Sequence, residues 1–233
     1  MSARRAFLPG LFLVGMLLTG LFCLYAGARM LVADLAAYQA GTFVSDWHRR
    51  GVVPSERAWQ VAGSAATRAV AAAPVGMAEN YDRLGRVHEW RHQASYFGDP
   101  AAEGSRRAAL SAYRHAVELR PLWPYGWVRL AFVKLSLLEF DAEFDRALRQ
   151  AAELGPWRLR GNAGIAEIGL TAWHELDGGQ RALVLESARR VVAQNQREGG
   201  KLLDLASRLH RLGDVCAVLA PEMVARQPLC SVD

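Results

Sequence analysis

Two segments, YDRLGRVHEWRH at residues 81–92 and AALSAYRHAVELRP at residues 108–121, place small and large side chains at helical intervals. The first segment contains Leu84-Gly85, and the second places Tyr113 between alanines before it ends at Pro121. Small residues let two helices approach closely, and a proline ends a helix. The two segments therefore predict a pair of helices in close contact.

This spacing is typical of a tetratricopeptide repeat, a helix pair with a period of about 34 residues. The positions that fit the first unit are Tyr81, Leu84, Gly85, Ala109, Tyr113, Ala116 and Pro121. A second unit is predicted from Trp127 to Pro156, on the basis of Trp127, Leu130, Ala131, Leu148, Ala151 and Pro156. The spacing of Ala62, Ala69 and Pro74 indicates an earlier second helix whose partner has degenerated. The chain is thus expected to contain two recognisable units and further degenerate ones.

Beyond the second unit the apolar residues still recur at helical spacing. They predict helices at 162–176, 179–194 and 201–212. Glycine pairs separate these segments, and we expect turns at Gly178-Gly179 and Gly199-Gly200. The pattern therefore predicts an all-α fold to the end of the chain.

Composition supports helices and excludes some function classes. Hydrophobic residues make up 52% of the chain and charged residues 22%, which excludes a disordered polypeptide. The net charge of +5 comes from scattered arginines without a basic run, so we expect no nucleic-acid partner. Neither a nucleophile elbow, a phosphate-binding glycine loop nor a C-x-x-C motif is found.

A charge-free apolar segment covers residues 6–28. About 20 such residues are enough to cross a bilayer as one helix. Arg4 and Arg5 precede the segment, and together with the free amine they favour an N-terminus on the cytoplasmic side. The sequence therefore predicts a single-pass protein of the bacterial inner membrane with its C-terminal domain in the periplasm.

The same segment also allows a second interpretation. Ala26-Gly27-Ala28 has the small residues of a signal-peptide cleavage site, although the apolar run is longer than usual. With an uncleaved anchor, three regions are expected: the anchor at 1–28, a juxtamembrane helix (Met30–Ala40) and linker at 29–54, and a tetratricopeptide-like domain at 55–233.

Two of the three cysteines, Cys216 and Cys230, follow the predicted anchor. In an oxidising compartment they form a candidate disulfide that would attach the C-terminal tail to the last helix. A bridge over so short a loop stabilises by about 3 kcal/mol. The alternative is two independent thiols.

His88-Glu89-Trp90-Arg91-His92 fits H-E-x-x-H, the zinc-hydrolase motif in which two histidines bind the metal and the glutamate activates water. Arg86 and Arg91 place positive charge where such enzymes have an apolar helix. His88 also stands where a repeat helix carries an aromatic residue. We therefore predict no metal, no cofactor and no enzymatic activity, and keep a zinc hydrolase as an alternative.

Aromatic residues surround Pro124 at the start of a predicted helix. They could provide a stacking surface for a partner's peptide or for a sugar, or they could join successive repeats. The candidate interaction surface consists of Trp123, Tyr125, Trp127, Arg129 and Glu143.

Several short segments, in order and at matching distances, give the chain a further resemblance. They are Leu84-Gly85, Glu89-Trp90-Arg91, Leu119-Arg120-Pro121, Trp123-Pro124-Tyr125, Trp127, Asp141-Ala142-Glu143-Phe144, Gly155-Pro156-Trp157, Ile168-Gly169-Leu170 and Trp173. With these residues the chain resembles the VpsP family of exopolysaccharide-biosynthesis proteins over about two thirds of its length. His88 departs from the tyrosine expected there.

The resemblance implies an accessory role in making or exporting a surface polysaccharide, in biofilm-type gene clusters, with no established chemistry. Combined with the repeats, it predicts a membrane-anchored scaffold that binds other proteins of a polysaccharide assembly machine. A polysaccharide is a further candidate ligand. The alternative is a periplasmic tetratricopeptide chaperone for secreted or cytochrome apoproteins.

Overall fold

A computed structural model of the chain describes the backbone of residues 3–230 and the side chains of residues 12–230. Within these residues the fold is all-α, with no strand. The helices are α1 (Ala3–Arg50), α2 (Glu56–Ala72), α3 (Ala78–Arg91), α4 (Glu103–Leu119), α5 (Pro124–Ser136), α6 (Ala142–Leu154), α7 (Leu159–Thr171), α8 (Gly178–Gln194), α9 (Gln196–Arg208), α10 (Leu212–Cys216) and α11 (Pro221–Val224).

The N-terminal helix α1 is long and apolar enough to cross a membrane, and the apolar part is almost entirely exposed in the folded chain. The side chains of Arg4 and Arg5, on which the predicted orientation depends, lie outside the described residues. The expected end of the juxtamembrane helix at Ala40 is wrong, because α1 continues through Gly41 to Arg50. A glycine inside a helix costs only about 1 kcal/mol, less than burying the side chains that follow it contributes.

The second half of α1 belongs to the folded domain. One face of it is buried against α2 and α3, through Ala33, Ala36, Ala37, Ala40, Val44 and Trp47. Ala40, Val44 and Trp47 pack on Ala62, Ala65 and Val87, whereas Ala36 and Ala37 pack on Ala69. Residues 29–54 therefore do not form a separate linker segment before a domain that begins at 55. The helix that ends before Pro74 has α1 as its partner.

The other helices pack mainly as consecutive pairs, α3 with α4, α5 with α6, and α7 with α8. One continuous core joins these pairs from α4 to the C-terminal helices, and it includes the fully buried Phe144, Leu148, Ile165 and Leu203. Each pair buries its apolar face against the next, so the domain is an array of helix hairpins that α1 and α2 begin.

Glycines mark the closest approaches within two of these pairs. A Cβ atom on Gly85 in α3 would overlap the ring of Tyr113 in α4, which is fully buried. A Cβ atom on Gly169 in α7 would likewise overlap Val184 in α8. The small-and-aromatic spacing of the sequence therefore corresponds to real contacts between paired helices.

After Pro156 the predicted helices exist, but neither glycine pair forms the predicted turn. Gly178 and Gly179 begin α8, and the chain turns just before them, at residues 172–177. Gly199 and Gly200 lie inside α9, and the chain instead turns at Asn195, whose side chain caps α9 by accepting a hydrogen bond from the Glu198 amide at 3.0 Å. A Cβ atom on Gly199 would lie 2.9 Å from the Cα atom of Val192. This glycine therefore permits close packing of α8 and α9.

The C-terminal tail is attached to the array by a disulfide between Cys216 in α10 and Cys230. Their Cα atoms are 5.6 Å apart, a usual separation for a bridge. The free cysteine among the described residues, Cys23, is exposed on the apolar part of α1.

Candidate functional site

A groove of about 800 Å³, open to solvent, runs along one side of the array. Its walls come from the first helix of each hairpin, α3, α5 and α7, and from the end of α1. Stacked hairpins place equivalent helices side by side, which produces an extended concave surface in helical-repeat proteins. A smaller cavity of about 170 Å³ adjoins the groove and shares Asp82, Arg86 and Trp123 with it.

The groove is rich in aromatic side chains. Those that line it are His48, Trp90, Trp123, Tyr125 and Phe132. The Trp123 and Tyr125 rings are 5.3 Å apart between centroids, and the Arg120 guanidinium lies 4.3 Å from the centroid of Trp123. Flat rings in a solvent-open concavity provide large contact areas at a low cost in side-chain entropy.

Charged groups form a network in the floor of the groove. The Tyr113 hydroxyl donates a hydrogen bond to the Glu89 carboxylate, and Arg129 Nε lies 2.7 Å from Asp82 Oδ1. Burial raises the pKa of Glu89, against the opposing effect of Arg129. Burial would lower the pKa of Arg129, but Tyr113, Asp82 and Glu89 outweigh this and raise it.

Two further side chains that line the groove, Arg86 and Glu167, have shifted pKa values. Burial, and then the nearby Arg129, lower the pKa of Arg86. Glu167 in α7 has its pKa raised by the surrounding protein, which reduces the hydration of its carboxylate. The groove thus contains both signs of charge in surroundings that strengthen their interactions with a bound charged group.

The structure brings together three of the five residues predicted as an interaction surface. Trp123, Tyr125 and Arg129 all line the groove. The Trp127 indole instead donates to the Pro121 carbonyl oxygen at 2.7 Å and packs against the main core. It therefore joins successive hairpins.

Glu143 also lies away from the groove. At the start of α6 it accepts hydrogen bonds from Arg114 at 2.6 and 2.9 Å and from Lys134 at 3.0 Å. The prediction that Glu143 and Arg129 share one exposed surface is wrong, because Arg129 faces the groove and Glu143 connects α6 to α4 and α5.

The H-E-x-x-H residues do not converge. The His88 ring packs at 6.0 Å from the Trp59 ring in α2, while Glu89 faces Tyr113. Helix α3 ends at Arg91, and His92 has a non-helical backbone, with φ −127° and ψ 36°. Within the described part of the chain, no three potential ligands lie close enough to hold a metal ion.

Sequence reasoning missed most of the groove residues. On α3 they occur at residues 82, 86, 89 and 90, with residue 93 just after the helix, on α5 at 125, 128, 129 and 132, and on α7 at 160, 164, 167 and 168. These are one helical face in each case, recurring in the first helix of each hairpin. The spacing is identical in α3 and α7, and α5 has the same steps of three and four residues in another order. The sequence contains this signal, but it can be recognised only after the hairpins are assigned.

Comparison with known proteins gives no family. No protein-family model matches the chain, and no curated protein is significantly similar to it.

Proposed function

We propose that the protein is a membrane-anchored, non-enzymatic scaffold of tetratricopeptide type that binds a partner protein in its groove. The observation that carries this proposal is the groove itself, built from equivalent faces of successive first helices. The close contact of Gly85 with Tyr113 supports the repeat assignment, since the repeat has a small residue and an aromatic residue at these positions.

The groove suits an extended or helical segment of another protein. It crosses three hairpins and offers aromatic rings beside both arginines and carboxylates. Interfaces use such aromatic and arginine side chains as their main anchors. Glu89 accepts a hydrogen bond from Tyr113, and Arg129 forms an ion pair with Asp82. Both charged groups therefore have partners within the protein, and in this proposal they form the floor of the binding site.

The long apolar part of α1 supports an inner-membrane anchor, with the domain on the periplasmic side as the residues before the span suggest. The resemblance to the VpsP family supports a role in the synthesis or export of an exopolysaccharide. In this proposal the partner is a protein of the polysaccharide assembly machine.

Photo-crosslinking in membranes tests the binding site. A photoreactive amino acid replaces Tyr125 or Phe132 in the groove of the full-length protein, and the captured proteins are identified by mass spectrometry. The matched control carries the same amino acid at Glu118, which is exposed on α4, away from the groove. We expect one partner of the polysaccharide machine from both groove positions and not from the control.

Capture of many secreted or cytochrome apoproteins from the groove positions would instead identify a chaperone. Equal capture of the same proteins from Glu118 and from the groove would overturn the groove as the binding site.

A further inference from the structure

We propose that one end of the helix array contacts the membrane surface through the connections α2–α3, α4–α5 and α6–α7. This inference rests on the proposed membrane anchorage of α1. The membrane-facing end is defined by residues 73–77, 120–123 and 155–158, and the opposite, distal end by 51–55, 92–102, 137–141 and 172–177.

The position of Arg29 fixes which end is near the bilayer. Arg29 follows the apolar segment of α1, and its guanidinium donates to the Ala71 and Ala72 carbonyl oxygens at 2.7 and 3.0 Å. These are the last carbonyls of α2. The C-terminus of α2, and the connection that follows it, therefore lie at the level where α1 leaves the membrane.

A chain of contacts extends this level across the array. Leu119 at the end of α4 packs against Gly76 in the first connection, and Arg120 forms an ion pair with Glu79. Pro124 at the start of α5 then packs against Gly155 in the α6–α7 connection. All three connections therefore lie side by side at one end of the hairpins.

Each of these connections presents one large, strongly exposed apolar side chain. The exposed fractions are 72% for Val75, 76% for Leu122 and 79% for Trp157. Their exposure leaves them free to enter the interfacial layer of a bilayer, where tryptophan is particularly favoured.

Charge distinguishes this end from the distal end. The membrane-facing connections contain Arg120 and Arg158 and no acidic residue. The four distal connections named above also expose apolar side chains, such as Tyr96, and contain no lysine or arginine, although Arg211 of the adjoining α9–α10 connection lies 3.0 Å from His174. The charged residues of these four connections are Asp99, Glu139, Asp141, Glu175 and Asp177. Arg120 is paired with Glu79, and Glu139 and Asp141 are paired with Lys134. The exposed Arg158 is therefore the charge at the membrane-facing end that anionic headgroups attract.

Spin-label accessibility in full-length protein tests the contact. In a Cys23→Ser background, labels are placed by Val75→Cys and Leu122→Cys, by Tyr96→Cys at the distal end, and by Leu17→Cys in the span. The protein is reconstituted in nanodiscs of phosphatidylethanolamine and phosphatidylglycerol. Collision rates are measured with oxygen, which concentrates in lipid, and with a water-soluble nickel chelate.

We expect the oxygen-to-nickel ratio at residues 75 and 122 to be several-fold higher than at residue 96, with the highest ratio at residue 17. Equal ratios at 75, 122 and 96, with residue 17 still in lipid, would overturn the surface contact and leave the anchorage intact. A nickel-accessible label at residue 17 would overturn the anchorage, and this inference with it.

A charge variant tests the role of anionic lipid. Arg158→Glu should lower the ratio at residue 122 in nanodiscs with phosphatidylglycerol and leave it unchanged in nanodiscs of phosphatidylcholine alone. Arg208→Glu is the matched control, because Arg208 is exposed and is the last residue of α9, at the distal end of the array. An equal effect of both variants would contradict a specific membrane-facing end.

Discussion

At the scale of single residues, the fold depends on where side chains are absent as much as on where they are present. Gly85 permits the Tyr113 ring to lie directly on α3, and the same ring carries the hydroxyl that binds Glu89. One glycine therefore sets both the spacing of a helix pair and the position of a charged group in the groove.

Gly85→Ala should destabilise the protein although alanine is the better helix former. The added methyl group overlaps a buried ring, and overpacking of this kind costs about 1–3 kcal/mol. The measurement is the free energy of unfolding in urea. Gly200→Ala is the matched control, since nothing lies within 4 Å of the added atom in α9, and it should stabilise by about 0.4–1 kcal/mol. A gain in stability from both variants would show that the α3–α4 contact is looser than described.

The glycines at helix contacts also show how much of the packing can be predicted from the sequence. Leu84-Gly85 was recognisable because its spacing to Tyr113 repeats a known pattern. The turn predicted at Gly199-Gly200 is wrong, because a glycine pair is compatible with a turn and with a close helix contact alike. Only the neighbouring helix, which brings Val192 to Gly199, distinguishes the two cases.

At the scale of helices and connections, the turn between α5 and α6 is organised around a buried lysine. Lys134 in α5 is fully buried, and its ammonium group lies 2.8–3.2 Å from three carboxylates, those of Glu139, Asp141 and Glu143. Asp141 also caps α6 by accepting from the Glu143 and Phe144 amides at 3.0 Å. The acidic cluster that the sequence places at the start of a second helix is therefore part of an internal ion network.

These contacts hold the carboxylates in their charged form. For Glu143 the hydrogen bonds from Arg114, followed by those from Lys134, lower the pKa. Desolvation opposes the shift at Asp141, but the hydrogen bond from Lys134 and the backbone amides outweigh it and lower the pKa. A depressed carboxyl pKa contributes stability that is present above the unfolded value and is lost as the pH falls through the folded value.

Lys134→Met should therefore lower stability at pH 7 by about 1–3 kcal/mol, because charged acceptors lose a buried donor. The wild-type protein should lose free energy of unfolding as the pH falls below about 4, the range of unperturbed carboxyl groups. In the variant this loss should be smaller, because the carboxylates no longer have the buried ammonium group as a partner. Urea unfolding at a series of pH values measures both effects. Lys201→Met is the matched control, because Lys201 is exposed and paired only with Glu198 at 2.7 Å. An unchanged pH profile in Lys134→Met would contradict the ion network.

At the scale of the whole molecule, α1 joins the apolar segment to the domain without a flexible hinge. The helix is continuous to Arg50, and its second half is buried against α2 and α3. Sequence patterns could not predict this continuity, because Gly41 and the polar residues after it are typical of a linker. The tertiary contacts of Val44 and Trp47 decide it.

Removing residues before 29 should leave the domain folded, whereas removing residues before 55 should not. The shorter fragment, 55–233, lacks the side chains that cover Ala62, Ala65 and Val87. Thermal unfolding followed by circular dichroism compares the two fragments, 29–233 and 55–233. We expect a cooperative, helical transition only for 29–233. Equal melting temperatures would show that α1 is dispensable for the fold.

Tethering is the last feature to test, and it concerns the proposed function. A domain held at the membrane meets membrane-bound partners at a higher effective concentration than a free one. Replacing residues 1–28 with a cleavable export signal should therefore reduce polysaccharide yield at matched protein levels, although the released domain stays folded. An unrelated apolar span of the same length, which preserves the helical phase into Arg29, is the control and should restore the yield. Full yield from the released domain would reject a need for tethering. An unchanged polysaccharide yield in a strain that lacks the whole protein would reject the polysaccharide role itself.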